Sequence, residues 1–563
     1  MKYTFSDNTK INQTLNLVVQ NLSQMAEEQL KHITQLTLIG KSLSGETHLD
    51  KIFDLILDEG VSFTNADAAT IYRVNENGAS ALEFEIVYNA TLKMRQGGSH
   101  GPVGWPAIPL FDTEGKPRLS HIVTSVYHTK KSLAFEDVYQ TKDFDISGTI
   151  RTDQSTNYRC KSMITIPLMN HEEEVLGVIQ FINAMDDSGN IVAFSEEHKT
   201  MLESLASQAA IALSNRKLID TLEELLMQFI RSIAIAIERK SKYSSDHIMR
   251  VAELTEMLAD RLNAAESGTF KDLHFSKNEL KEISMAGWMH DMGKIITPEF
   301  VMDKSRKLER IMDGIYLVCE RFTRLRLLMR YLNKILPPEE VDSFIHQHIS
   351  VNTKHNEVEE YLLCEQKFIE GLNMGGEYVP DDKIKRMEAI AAIDFEYEGE
   401  RYFLLDELDK KNLYIQRGTL NADEIKQMRD HAATTWEMLS QLSFPKKYKN
   451  VAFYAATHHE TLNGKGYPRG LSAEDLPLQS RMIAVADIFE ALTAADRPYK
   501  TPKTLSESLK IMAFMAKDGH LDKDLVDFFM DSGLYLEFAE AKMLPQQIDK
   551  VDIPALKAIY RLG

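Results

Sequence analysis

The sequence predicts a multidomain chain: an α+β domain over residues 47–210 and an all-α domain over residues 230–545, joined by a long coiled-coil-like helix. Three observations carry this. The 563 residues exceed the roughly 250–300 at which a single core stops growing, so more than one domain is needed. Alternation of apolar and polar residues at period two is concentrated between residues 68 and 181. Beyond Ile230 the apolar spacing is almost purely helical.

Taken in order, residues 1–46 form an N-terminal helical segment. Ile11, Leu15, Val18, Leu22 and Met25 recur at alternating spacings of four and three, the seam of a short coiled coil. Next come a helix over about 48–63 and strand-like runs at 68–74 and 82–88. A loop-rich middle with Gly97-Gly98 and Pro106 leads to two further strand-like runs, 162–168 and 175–181, and a long closing helix. An antiparallel sheet follows from these elements. The closing helix continues through a linker, 211–229, where Ile211, Asn215, Leu218, Leu222, Leu225 and Phe229 keep the four-three rhythm. One polar residue in such a seam is the device that fixes two-strandedness in parallel coils, which points to a homodimer. The competing reading is an amphipathic helix packed on its own domain. Residues 230–545 are helical apart from strand-like alternation near 393–397 and 401–404, and 546–563 are set apart as a C-terminal tail.

Composition excludes several classes. Apolar (44%) and charged (26%) shares are those of globular protein. No run of ~18 uninterrupted apolar residues offers a membrane span, and Met1–Asp7 lacks the apolar core of a signal peptide, so a cytoplasmic protein is expected. Three separated cysteines, Cys160, Cys319 and Cys364, make neither a zinc pattern nor a disulfide framework. A net charge of −19 argues against DNA as a partner.

The chemistry is concentrated in the helical half. His458-His459-Glu460 is followed by Asn463, Gly464, Gly466, Tyr467 and Pro468, so two adjacent imidazoles project from a helix that a Gly- and Pro-containing turn ends. His290-Asp291 closes a second helix ahead of Lys294. His431 lies on a third helix, and Asp487 interrupts the apolar run 482–489, where an unpaired carboxylate is costly. His247 adds a further nitrogen donor. Each residue alone reads as ordinary, and His431 alone as a satisfied core histidine. Together, nitrogen and carboxylate-oxygen donors without thiolate suit iron, manganese or zinc. Seven donors also exceed what one ion with an open position needs, which indicates two.

These residues, with Arg481 and Asp496-Arg497-Pro498-Tyr499-Lys500, resemble the HD-GYP subclass of the HD phosphohydrolase superfamily over about 230–535. The helix, strand and loop order of 47–210 resembles the GAF family of sensory domains. The first resemblance implies an all-helical domain, two divalent ions with iron or manganese favoured, and hydrolysis of cyclic di-GMP to linear pGpG, GMP being left open as a further product. It implies that Asp291 bridges the metals and acts catalytically, with His290 and Asp487 on one ion and His247 near it. His431, His458 and His459 would hold the other. Lys294 would be catalytic and contact the scissile phosphate, and Tyr467, Arg481 and Lys500 would surround the nucleotide. The Gly466-Tyr467-Pro468 turn would face substrate or a GGDEF-domain partner. The second resemblance implies a small-molecule pocket whose ligand the sequence does not reveal.

Three features depart from the HD-GYP pattern. Asn463 replaces the aspartate of the motif, Tyr243 stands where members with a third metal carry glutamate, and an insert occupies 309–415. The insert is expected to be helical, with Arg321, Arg324, Arg326 and Arg330 either solvated or part of a cap or dimer surface. Two alternatives remain beside the phosphodiesterase reading: an HD hydrolase of another nucleotide, and a catalytically silent receptor or scaffold.

Overall fold

The computed structural model describes residues 8–46, 48–75, 81–241, 246–349, 353–375, 378–397, 399–495 and 502–561. It divides into two compact units, Met1–Leu225 and Leu226–Gly563, the division falling inside the segment read as a linker.

The first unit is built on an antiparallel sheet. Its strands are β1 Ala66–Asn75, β2 Ala81–Asn89, β3 Met94–Gly97, β4 Ile108–Pro109, β5 Leu133–Phe135, β6 Met163–Met169, β7 Val175–Met185 and β8 Ile191–Val192. The path runs β3-β2-β1-β7-β6-β5, with β4 on β2 and β8 on β7. Register places Ile86 opposite Ile71, Ile71 opposite Ile179 and Ile179 opposite Ile166, so four β-branched residues line up across four strands. All four are buried beneath two helices. Leu49–Thr64 supplies Ile52, Phe53, Ile56 and Leu57, and the early part of Glu196–Glu238 supplies Leu202, Leu205 and Ala209. Gly60 lets the first helix lie close, since a Cβ there would meet the Phe181 ring at 2.2 Å. The last turns of the helix Thr9–Gly45 join this core through Ile39 and Leu43, while Ile11, Leu15, Val18, Leu22 and Met25 stay exposed.

The second unit is helical. Its main core gathers Leu254, Leu258, Val485, Phe489, Leu509 and Phe529. The insert 309–415 folds around a core of its own, in which Phe322, Leu325, Leu362, Ile369 and Phe395 are buried, and it includes the hairpin Asp394–Tyr397 with Glu400–Phe403. Its arginines are not simply solvated. Arg321 meets Asp409 and Asp406, Arg330 pairs with Glu359, and Arg324 with Glu320.

The expectation of a tail at 546–563 is corrected. Gln547 donates to the carbonyls of Thr493 and Lys503, and the helix Ile553–Arg561 sinks Leu556 and Tyr560 into the main core. Apolar residues spaced by four on a strongly amphipathic final turn explain why this end folds down. Among the described residues no helix is long and apolar enough to cross a membrane.

Candidate metal centre

Five separate elements of the second unit bring donors together. His247 opens the helix His247–Asn263. His290 and Asp291 fall at the junction of the helix Lys277–Met289 and the 3-10 turn Met292–Ile296. His431 projects from the middle of Ala422–Ser440, His458 and His459 follow the short helix Val451–Ala456, and Asp487 faces inward from Leu478–Thr493. Close approach of the 3-10 turn to the His431 helix depends on Gly293, where a Cβ would lie 1.9 Å from the His431 carbonyl oxygen. Thr435 fastens the contact: its hydroxyl accepts from the Gly293 amide at 2.9 Å and donates to the His290 carbonyl at 3.2 Å.

Asp291, 1% exposed, is the hub. Its Oδ2 lies 3.2 Å from His247 Nε2 and 3.3 Å from His290 Nε2. Its Oδ1 lies 3.4 Å from His431 Nε2 and 3.9 Å from His458 Nε2. Lys294 places its ammonium on Oδ2. Asp487 reaches His247 Nε2 at 3.4 Å and His459 Nδ1 at 3.9 Å. Donor atoms lie within 4.8 Å of one another in each of three groups: His431, His458 and His459; His247, His290 and Asp487; and His290, Asp291 and His458.

The imidazoles are oriented for lone-pair donation. Nδ1 of His290, His431 and His458 each meets a carbonyl oxygen three residues back, Gly287, Met428 and Ala455, at 2.7, 2.5 and 2.7 Å. With the proton held there, each Nε2 presents a lone pair, and these three Nε2 atoms are buried without a hydrogen-bond partner. Burial, reinforced by neighbouring imidazoles, pushes His458 well below the ordinary histidine range, lowers His431, and takes His459 down to about 4. His247 behaves oppositely. Burial disfavours its charge, but Glu490 and Asp291 outweigh that and hold it up to about 10. Asp291 is likewise driven well below the carboxylate range, against the effect of burial, by Lys294, His290 and His247. Buried polar atoms left unpaired cost roughly 1–3 kcal/mol each, and three aimed at one carboxylate fit a metal group better than a closed protein core.

Other expected residues divide. Tyr467 stands beside the cluster, its ring centre 4.8 Å from that of His459. Gly466 is required, because a Cβ there would lie 2.5 Å from the Glu460 Cα. Glu460 fixes the turn from inside, accepting from the amides of Arg469 and Leu471 at 2.7 and 2.9 Å. Asn463 closes the same loop, donating to the Asp518 carbonyl at 2.8 Å. Arg481 is a correction. Its guanidinium is committed to Asp522 at 2.7 Å and to the carbonyls of Ala473 and Leu476 at 2.6 and 2.8 Å, so it anchors a loop instead of facing a nucleotide. Lys500 and Tyr243 lie outside the described residues. Glu490 was not foreseen. It sits one turn beyond Asp487, a second acid in an otherwise apolar run, and that spacing was the available signal.

In the first unit, a cavity of about 350 Å³ opens on the sheet and is lined by Tyr72, Phe84, Trp105, His121, Asp153 and Gln180 among others.

Family models match both units. A GAF domain model matches residues 48–213, and HD domain models match residues 245–369 and 410–525. The chain is 37% identical over 134 residues to 3'3'-cGAMP-specific phosphodiesterase 3 of Vibrio cholerae, covering 23% of this chain and 28% of that protein. It is 37% identical over 128 residues to the cyclic di-GMP phosphodiesterase response regulator RpfG of Xanthomonas campestris pv. campestris, covering 22% and 32%. A cyclic di-GMP phosphodiesterase of Thermotoga maritima is 37% identical over 98 residues, covering 17% and 26%. The chain thus spans about a quarter to a third of the length of these relatives.

Proposed function

From a chain that carries a GAF domain followed by an HD domain, we propose a metal-dependent phosphodiesterase that hydrolyses a 3',3'-cyclic dinucleotide, cyclic di-GMP first, to its linear form pGpG and onward to GMP. The observation that carries the reading is the convergence on Asp291 of three buried, unpartnered imidazole Nε2 atoms, from His290, His431 and His458. Relatives named for cyclic di-GMP and for 3'3'-cGAMP support the substrate class.

In this reading His290, Asp487 and His247 would hold one divalent ion and His431, His458 and His459 a second, with Asp291, which faces imidazoles of both groups, as a further ligand. The oxygen and nitrogen donor set, free of thiolate, favours iron or manganese. When bound, such a pair supplies Lewis-acid activation and a clamp for the attacking and leaving oxygens of an in-line displacement. The chain itself supplies the rest. Backbone carbonyls hold the proton on the Nδ1 atoms of His290, His431 and His458, so their Nε2 lone pairs need no reorganisation. Lys294 brings a positive charge to the hub and stabilises charge on the phosphoryl oxygens as it develops. Gly466 lets the turn close over Glu460, which presents Tyr467 beside His459 for a base or a GGDEF-domain partner.

The GAF domain regulates this centre through a parallel homodimer. Support comes from the seam Ile211, Leu218, Leu222, Leu225 and Phe229, each more than half exposed in the single chain. Metal analysis of anaerobically purified protein, paired with hydrolysis assays on cyclic di-GMP and 3'3'-cGAMP, tests the whole reading. The expected result is close to two ions per chain with metal-dependent turnover. A loaded protein that leaves both dinucleotides intact would overturn it in favour of a nucleotide-binding scaffold.

A further inference from the structure

Among the described residues, Lys294, Arg250, Arg481 and Arg429 lie on the elements that carry the donors or on their neighbours, and the first three each face a carboxylate. Lys294 contacts Asp291, Arg250 holds Glu490 at 2.6 Å, and Arg481 holds Asp522 at 2.7 Å. Arg429 differs. Among the described residues no carboxylate pairs with it, and its guanidinium carbon sits 5.2 Å from the centre of the Tyr467 ring. It is exposed, two positions ahead of His431 on the same helix, and Tyr467 is itself 4.8 Å from the His459 ring. An uncompensated guanidinium therefore stands one aromatic ring away from the candidate ligands, on a chain of net charge −19.

The contact leaves the donors of this group available. A guanidinium carbon 5.2 Å from a ring centre is within reach of cation–π attraction, while its planar fork of N–H donors can still give two parallel hydrogen bonds to one anion. Carboxylate and phosphate oxygens both match that fork, and phosphate is the anion a phosphodiester substrate brings. Bracing on Tyr467 also reduces the rotamer freedom that binding would otherwise have to remove.

A cyclic dinucleotide carries two phosphodiesters. The reacting one must meet the His and Asp donors and Lys294, so the other is held outside them. We propose that Arg429, braced on Tyr467, binds the second, non-reacting phosphodiester, and thereby selects substrates with two phosphates over simple diesters. This rests on the phosphodiesterase reading above and adds the residue that sets its substrate size.

The test uses the full, metal-loaded chain with two substrates, cyclic di-GMP and bis(p-nitrophenyl) phosphate, the latter having a single phosphorus. Losing one charge-assisted contact should raise KM for cyclic di-GMP about 10- to 100-fold in Arg429→Ala. The loss on the single diester should be smaller by a comparable factor. Arg429→Lys should recover part of the KM but not all, since a point charge cannot make the forked contact. An unchanged KM, or equal losses on both substrates, overturns the assignment of Arg429 while leaving the enzyme reading intact. A wild-type protein that cleaves the single diester but neither binds nor cleaves cyclic di-GMP overturns the substrate reading, and this inference with it.

Discussion

Glu490 Oε2 lies 2.5 Å from His247 Nδ1, while its other oxygen takes Arg250 at 2.6 Å, so a carboxylate from the Asp487 helix fixes the ring that opens the helix His247–Asn263. The arrangement keeps His247 Nε2 aimed at Asp291 and Asp487. Partners of this kind, standing behind a ligand, typically change metal affinity 10- to 100-fold. Glu490→Gln keeps the size and loses the charge. It should lower metal affinity by about that factor with the fold retained, as read by chelator competition alongside circular dichroism, and unchanged affinity would remove Glu490 from the centre.

Asp291 and Lys294 separate metal loading from turnover. Asp291→Ala removes the carboxylate that faces His247 and His290 through one oxygen and His431 and His458 through the other, and it should abolish metal content and hydrolysis together. Lys294→Ala should leave the metals bound and slow turnover about 10²–10³-fold, if the ammonium acts on developing charge. Metal analysis beside single-turnover rates distinguishes the two. A Lys294 variant with full activity would take the lysine out of the mechanism.

Gly293 makes a prediction about packing. An added methyl would overlap the His431 carbonyl at 1.9 Å and crowd the Thr435 amide at 2.7 Å, both backbone atoms that cannot swing aside. Gly293→Ala should cost about 1–3 kcal/mol or more as an overpacking change and separate His431 from Asp291. Thermal unfolding and metal affinity should fall together, and loss of stability with affinity intact would show that the 3-10 turn does not position the ligands.

Much of the centre was legible because its residues break local rules. Paired imidazoles at a helix end, and an acid inside an apolar run, have no cheap solution in an ordinary core. Arg481 was misread for the opposite reason. Its partner Asp522 lies 41 residues downstream and its other acceptors are loop carbonyls, neither of which any periodicity encodes. The four long strands of the first unit showed as period-two runs, whereas Met94–Gly97, Ile108–Pro109, Leu133–Phe135 and Ile191–Val192 went unread because they are too short to carry a period. The ion pairs of the insert join Arg321 to acids more than 80 positions away, beyond the reach of local pattern.

Lys307 yields a pH dependence. It is 1% exposed, and its ammonium donates to the Ile415 carbonyl at 2.6 Å and the Leu413 carbonyl at 3.4 Å, tying the entry of the insert to its exit. Burial lowers it from an ordinary 10.5 to about 8. Between these values the unfolded chain binds the Lys307 proton more readily than the folded one, so Lys307 contributes stability that rises with pH from about 8 to 10.5, against the opposite contribution of the Cys160 and Cys319 thiols, which burial raises. In denaturant titrations run across the window, Lys307→Met should show a less positive slope of stability with pH than the wild type. Equal slopes in the two proteins would mean that the ammonium keeps its charge in the fold.

The seam on the helix Glu196–Glu238 yields the last prediction. Leu218 and Leu222 are 58% and 55% exposed, and with Ile211, Leu225 and Phe229 they repeat at coiled-coil spacing around Asn215. Apolar residues left on one face of a long helix gain most by pairing with an identical face, and a polar residue in register favours two parallel strands. Leu218→Lys with Leu222→Lys places like charges across that seam and should convert a dimer to a monomer in sedimentation equilibrium. If the same helix couples the sensory cavity to His247, the double variant should also shift the hydrolysis rate while the metal content stays constant. A wild-type chain that sediments as a monomer would dispose of the parallel coil, and a dissociated variant with unaltered turnover would show that the coil assembles the protein without regulating it.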